Sequence, residues 1–252
     1  ATAQKIKVFN QDTLIGITKK VGVDHYGFTM FQNGNNTEYV TLLDTPDIII
    51  SDVTFLDDTA YFCGKRLISQ NTYIGVIGRF SVRDFINNGN FNYELLNINQ
   101  VENLTGLVAY YKPNSPTVFV KAIGNTSFSS QNPGRIIQLD FYNNSPTANY
   151  RCYTCSTNIN GKEIMHDICL LEDKIATVSR IYPDDQYIVR YYPLDNNFTN
   201  TFSCMYNFQN ITFNTTSHPY DYPLHIAKIT KDVLAVGVSA KSGSFNFSML
   251  NL

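Results

Sequence analysis

Apolar residues along this chain come in short runs broken by polar turn residues. The stretch Asp52–Gly64, DVTFLDDTAYFCG, sets the pattern: an apolar run, an acidic turn at Asp57-Asp58, and a second apolar run. Val, Ile, Tyr, Phe and Thr fill the runs, while Asn, Asp, Gly and Pro fill the gaps between them. That division predicts strands joined by tight turns, because branched and aromatic side chains suit a pleated surface and the small polar residues suit turns. No segment carries a 3.6-residue apolar period for more than two turns, so strands are expected throughout.

The runs recur in a fixed order. Lys5–Lys19 reads as a hairpin around Gln11-Asp12, followed by His25–Phe31, the turn Asn33-Gly34-Asn35, and Glu38–Leu43. A second pass runs Ile48–Gly64, Tyr73–Val82, the turn Asn87-Asn88-Gly89, and Asn92–Ile98. A third runs Leu107–Tyr111, a longer turn Lys112–Pro116, Thr117–Ile123, Gly134–Phe141 and Asn149–Cys155. A fourth takes Ile164–Arg180, Gln186–Leu194 and Thr201–Phe208, and a fifth takes Leu224–Ala240 and Phe245–Leu252.

Asp12, Asp58, Asp173 and Asp232 align in one column, with Pro116 in that place in the third pass; the steps are 46, 58, 57 and 59 residues. Such a period, with four strands per step, predicts an all-β fold: a five-bladed β-propeller of four-stranded antiparallel meanders. A single meander cannot bury both of its faces, so blades must stack, and strands covered on both sides read as nearly continuous apolar runs. One domain over residues 1–252 is expected, with repeats near 4–46, 47–103, 104–162, 163–222 and 223–252. A pair of β-sandwiches is the alternative. The fifth repeat ends after its third strand, giving nineteen strands where five full blades need twenty.

DVTFLDDTAYFCG with GVIGRFSV, LLEDKIATVS with YIVRYYPL, and IAKITKDVLAVGVS resemble the generic propeller unit, in which an inner strand turns at an acidic or Gly position into a Tyr-rich second strand. The resemblance spans nearly the whole chain and is architectural, so it implies a fold and no catalytic residues. In style the chain resembles secreted bacterial propellers of unknown function.

Charge and cysteine content narrow the function classes. The chain has 19 Lys and Arg against 21 Asp and Glu, a formal net charge of -2, so no basic excess is available to neutralise nucleic-acid phosphates. The same balance speaks against a polybasic membrane contact, and no apolar run is long enough for a membrane span. The opening Ala1-Thr2-Ala3-Gln4 reads as a mature chain after signal-peptide removal, so a secreted or cell-surface location is expected. Asn-x-Ser/Thr triplets at Asn35, Asn103, Asn125, Asn143, Asn197, Asn210, Asn214 and Asn246 are read as Asn richness suited to turns. Of the five cysteines, Cys152 and Cys155 form a lone CxxC with no partner motif, so Cys63, Cys152, Cys155, Cys169 and Cys204 read as buried small side chains, with one disulfide open as an alternative.

No motif for a nucleophile, phosphate loop or metallopeptidase occurs, and neither a metal nor a cofactor is assigned. His166 and His225 stand seven residues before Asp173 and Asp232, opening the inner strands of adjacent blades. Ser51 holds that place in the second repeat, and Asp52 follows it as Asp167 follows His166. Two imidazoles and two carboxylates near one axis would suit metal binding or acid–base work, or simply hydrogen bonding to water and neighbouring backbone. Five-bladed glycoside hydrolases use axial carboxylates, which makes Asp52 and Asp167 candidates for such work with Glu163 as a third. The segment His218–Pro223, HPYDYP, places His218, Tyr220 and Tyr222 in a loop suited to contacting a protein or glycan. The expected function is non-catalytic binding or scaffolding, with a carbohydrate-active enzyme as the rival.

Overall fold

The structure, a computed structural model, describes residues 2–23, 25–32, 35–89, 92–112, 114–127, 133–142, 145–154, 162–183, 186–194, 208–211, 224–239 and 245–251. It is all-β, built from five consecutive antiparallel meanders that are the blades of a five-bladed β-propeller fold. The sandwich alternative is thereby set aside. Blade 1 comprises β1 (Thr2–Asn10), β2 (Thr13–Lys19), β3 (Tyr26–Gln32) and β4 (Asn35–Leu42). Blade 2 comprises β5 (Ile48–Leu56), β6 (Thr59–Ser69), β7 (Thr72–Ser81) and, after helix α1 (Val82–Asn88), β8 (Tyr93–Ile98). Blade 3 comprises β9 (Asn103–Tyr111), β10 (Val118–Asn125), β11 (Gly134–Tyr142) and β12 (Ser145–Thr154). Blade 4 comprises β13 (Lys162–Leu170), β14 (Lys174–Tyr182), β15 (Gln186–Pro193) and β16 (Phe208–Ile211). Blade 5 has only β17 (Leu224–Thr230), β18 (Val233–Ser239) and β19 (Phe245–Asn251), so nineteen strands lie among the described residues, the number expected.

The chain divides into two compact units, Ala1–Tyr110 and Tyr111–Leu252. In the first, blades 1 and 2 bury Ile15, Ile17, Phe28 and Met30 against Val53, Phe62, Val76 and Phe80. Phe28 meets Phe62 edge-on at 5.4 Å between ring centroids, a favoured aromatic geometry. Gly78, opposite Phe62 on the neighbouring strand, leaves room for that ring: a Cβ there would lie 2.1 Å from Phe62 Cζ. In the second unit, Ala176, Val178, Tyr187 and Val189 of blade 4 pack on Leu224, Ile226, Leu234 and Val236 of blade 5. These residues alternate along their strands, as the period of two requires.

Helix α1 departs from the all-strand expectation. Ser81 caps it by accepting from Asp84 N at 3.2 Å, and Gly89 closes it at φ 66° with its N–H bonded to Phe85 O. Val82 and Phe85 bury its inner side, so packing on blade 2 holds a helix too short to persist alone.

Candidate functional site

Each seam between consecutive blades confronts one physical problem. The first strand of a blade is a sheet edge, and its outward N–H groups need acceptors. Two aspartates answer it in the same way. In β5 a bulge between Ile50 and Asp52 breaks the alternation and turns Asp52 toward the next blade. Its carboxylate is 0% exposed. Oδ1 accepts from Val53 N at 2.9 Å, and Oδ2 accepts from Leu107 N on β9 at 3.3 Å. Lys5 Nζ lies 2.7 Å and Lys7 Nζ 3.5 Å from Oδ1, both reaching across from β1.

β13 repeats the device. A bulge between Met165 and Asp167 turns Asp167 toward blade 5, where Oδ1 accepts from Ile168 N at 2.9 Å and Oδ2 from Ile226 N at 3.2 Å. In place of lysines it meets His225, whose Nδ1 lies 3.4 Å from Oδ2 and whose side chain is 48% exposed. Leu107 and Ile226 are therefore structurally equivalent. The third-repeat column falls three residues before Pro116, because the turn there is longer: Lys112 N bonds Thr117 O, with Asn114 at φ 58° between them.

His166 is the residue left unpaired by the second bulge. Its Nε2 is buried with no hydrogen-bond partner. Burial lowers its pKa from 6.5 to about 4; the cationic Arg180 and then His225 add to the shift, and Asp167 opposes it. The imidazole is consequently neutral near pH 7. The sign of its effect on stability follows. The unfolded chain binds a proton at His166 below about pH 6.5 that the folded chain refuses until about pH 4, so stability falls as pH falls through that window. His166→Phe should therefore lose less stability than wild type between pH 7 and pH 4, by up to about 3 kcal/mol. Denaturant titrations at the two pH values measure this, and an unchanged acid dependence would contradict it.

The structure thus brings Asp167, His166 and His225 together in the second unit, and puts Asp52 with Lys5 and Lys7 in the first. Chemically, a buried carboxylate beside a half-exposed imidazole can orient that ring and leave its other nitrogen to water or a ligand. Glu163 is elsewhere: buried on the other face of blade 4, it accepts from Arg190 Nε at 3.0 Å. No group of three or more His, Cys, Asp or Glu side chains able to hold a metal occurs among the described residues. His218, Tyr220 and Tyr222 lie outside the described residues, as do Cys155 and Cys204.

Other sequence features take structural places. Tyr110 and Tyr192 are buried while Tyr111 is exposed, and the Tyr191 hydroxyl has its pKa raised by burial. Cys63 is buried directly opposite Asp52, and burial raises the Cys152 thiol despite the opposing charge of Arg135. The Asn125 amide is engaged twice, donating to Met165 O and accepting from Met165 N, each at 2.9 Å, so this Asn-x-Ser triplet serves the seam between blades 3 and 4. Lys5, Lys7 and Arg180 were not singled out from sequence; the alternation Lys5-Ile6-Lys7-Val8 was the available signal, since it puts both ammonium groups on one face.

No helix among the described residues is long and apolar enough to cross a membrane. No family model matches the chain, and no curated protein matches it. Among the solved structures that align along it are two neuraminidase-like proteins. A neuraminidase-like protein from A/bat/Guatemala/164/2009 is 9% identical at a TM-score of 0.53, covering 98% of this chain and 71% of that one. A subtype N10 neuraminidase-like protein of A/little yellow-shouldered bat/Guatemala/060/2010 is 10% identical at a TM-score of 0.54, covering 100% and 81%. At these identities the likeness is one of fold, and the fold is a β-propeller.

Proposed function

We propose that the protein is a non-catalytic binding or scaffolding propeller that acts outside the cell on a protein or glycan partner. The observation that supports this reading is the use made of Asp52 and Asp167. A glycosidase needs one carboxylate able to give a proton and another open to the sugar. Both aspartates instead have their two oxygens turned into a blade seam and bonded to backbone N–H groups there. A propeller hosts many unrelated activities, so likeness of fold adds nothing on substrate.

The rival reading, a carbohydrate-active enzyme, draws on the 3.4 Å approach of His225 to Asp167, since a carboxylate-oriented imidazole is a competent general base. A polysaccharide panel separates the two. Wild-type protein should release no sugar, and Asp52→Asn, Asp167→Asn and His225→Ala should change stability alone. Hydrolysis by the wild type that disappears in Asp167→Asn and His225→Ala, with folding intact, would overturn the binding reading. Export is tested by fractionating cells that express the full-length protein.

A further inference from the structure

Two loops in the first unit carry the same unusual composition. β2 ends at Lys19 and the loop after it continues Lys20-Val21-Gly22-Val23, while β6 ends Lys65-Arg66-Leu67-Ile68-Ser69. Each is a pair of basic residues followed by a pair of aliphatic ones. The aliphatic side chains point to water: Val21 is 70%, Val23 49%, Leu67 39% and Ile68 53% exposed. Gly22, at φ 84°, makes the first of these tips a tight turn.

Topology and hydrogen bonds bring the two loops to one place. One follows the second strand of its meander and the other is the end of that strand, so both lie at the same end of their blades. His25 Nε2 lies 2.6 Å from Leu43 O, tying the first loop to the linker between blades 1 and 2. At the other end of that linker, Leu67 N bonds Asp47 O at 2.9 Å and Arg66 Nε bonds Asp47 Oδ2 at 2.8 Å. The aliphatic tips therefore stand on either side of a single short linker, Leu43–Asp47, and are read together as one patch.

From this juxtaposition we propose that the patch is a peripheral docking surface for an anionic lipid bilayer. Exposed clustered aliphatics mark an interaction site. Protein interfaces favour aromatic residues and are depleted in Lys, whereas these tips carry only Val, Leu and Ile and are flanked by three lysines and by Arg66, whose charge is already paired with Asp47. Aliphatic tips entering the headgroup layer beside lysines suit a soft anionic surface, and apolar and basic signals together are what stable adsorption requires. Asp24, Asp44 and Asp47 offset most of the local positive charge in sequence, so the aliphatic tips supply most of the affinity and the lysines a preference for anionic lipid. The near-neutral charge of the whole chain conceals this local pairing.

The proposal rests on the binding-module reading, and the two fail separately: sugar hydrolysis removes the first without touching vesicle binding. The test is co-sedimentation of the full chain with vesicles of phosphatidylcholine alone and of phosphatidylcholine and phosphatidylserine in equal parts. Wild-type protein should bind the mixed vesicles more strongly. The variant Val21→Ser/Val23→Ser/Leu67→Ser/Ile68→Ser should bind them about tenfold more weakly. Because the chain has no Trp, Val23→Trp supplies a single fluorophore, which should shift to the blue on the mixed vesicles. Gln11→Trp, in the turn at the opposite end of the same blade, should not. Binding by the quadruple variant equal to wild type, or equal shifts at both Trp positions, overturns the proposal. So does self-association in place of vesicle binding, which would make a second copy of the chain the occupant.

Discussion

Asp52→Ala is expected to cost about 3–5 kcal/mol of folding stability, the range for stranding one partner of a buried ion pair. The carboxylate is fully buried and has four donors around it: Val53 N, Leu107 N, Lys5 Nζ and Lys7 Nζ. Its removal leaves the Leu107 N–H at a buried sheet edge without this acceptor and takes the anion away from Lys5, which is only 20% exposed. Asp167→Ala removes the same two kinds of amide bond, but in place of the lysines it has only the half-exposed His225 ring, which water can solvate. The expected cost is accordingly smaller, about 1–3 kcal/mol. Lys7→Met, at a more exposed and more distant ammonium, should cost less than about 1 kcal/mol. Guanidinium unfolding at pH 7 orders the three variants. An Asp167→Ala loss equal to or above that of Asp52→Ala would show that amide satisfaction, and not the lysine charge, dominates the seam.

The blades were legible in sequence because their determinants are local. Acidic turns at Asp58, Asp173 and Asp232 and alternating runs on either side fix hairpins over a few residues each. What escaped is set by tertiary contact. VRDFINN has fewer than two helical turns and two fully buried side chains, and its closing Asn87-Asn88-Gly89 reads equally as a hairpin turn. The third-repeat column was misplaced by three residues because Pro116 is the most conspicuous turn residue there, while the register is set by the bond from Leu107 N to Asp52.

The site was legible in part, for a similar reason. His166 and His225 share a column in sequence, yet they have different surroundings in the fold. In β13 the bulge falls between Met165 and Asp167, beside His166, whereas in β17 it falls between Lys228 and Thr230. One imidazole is therefore buried and held neutral while the other faces solvent beside Asp167. A one-residue bulge inverts which face a side chain occupies, and no periodicity in the sequence announces where it falls.

The same inversion puts Glu163 and Arg190 on the opposite face of blade 4, where a second large effect is expected. The pair spans β14, with Thr177 directly beside Arg190 in the ladder, and both side chains are buried, 2% and 3% exposed. Glu163 Oε2 is buried with no hydrogen-bond partner. Lys121 and Gln138, also buried, stand opposite each other on the neighbouring strands β10 and β11. They share the face of Gly134, at which a Cβ would lie 3.1 Å from Glu163 O, so that face looks toward β13. The Arg190–Glu163 ion pair has thus been dehydrated on the seam that the Lys121 amine also faces, and such buried pairs contribute little net stability while depending strongly on completeness. Arg190→Met alone should cost about 3–5 kcal/mol, because it leaves a buried carboxylate short of its guanidinium. Adding Glu163→Leu and Lys121→Met should restore most of that loss, since apolar side chains of similar size avoid the desolvation cost altogether. Urea unfolding of the single and triple variants decides the matter. A triple variant no more stable than Arg190→Met would mean that the ions contribute more through their geometry than they lose to dehydration.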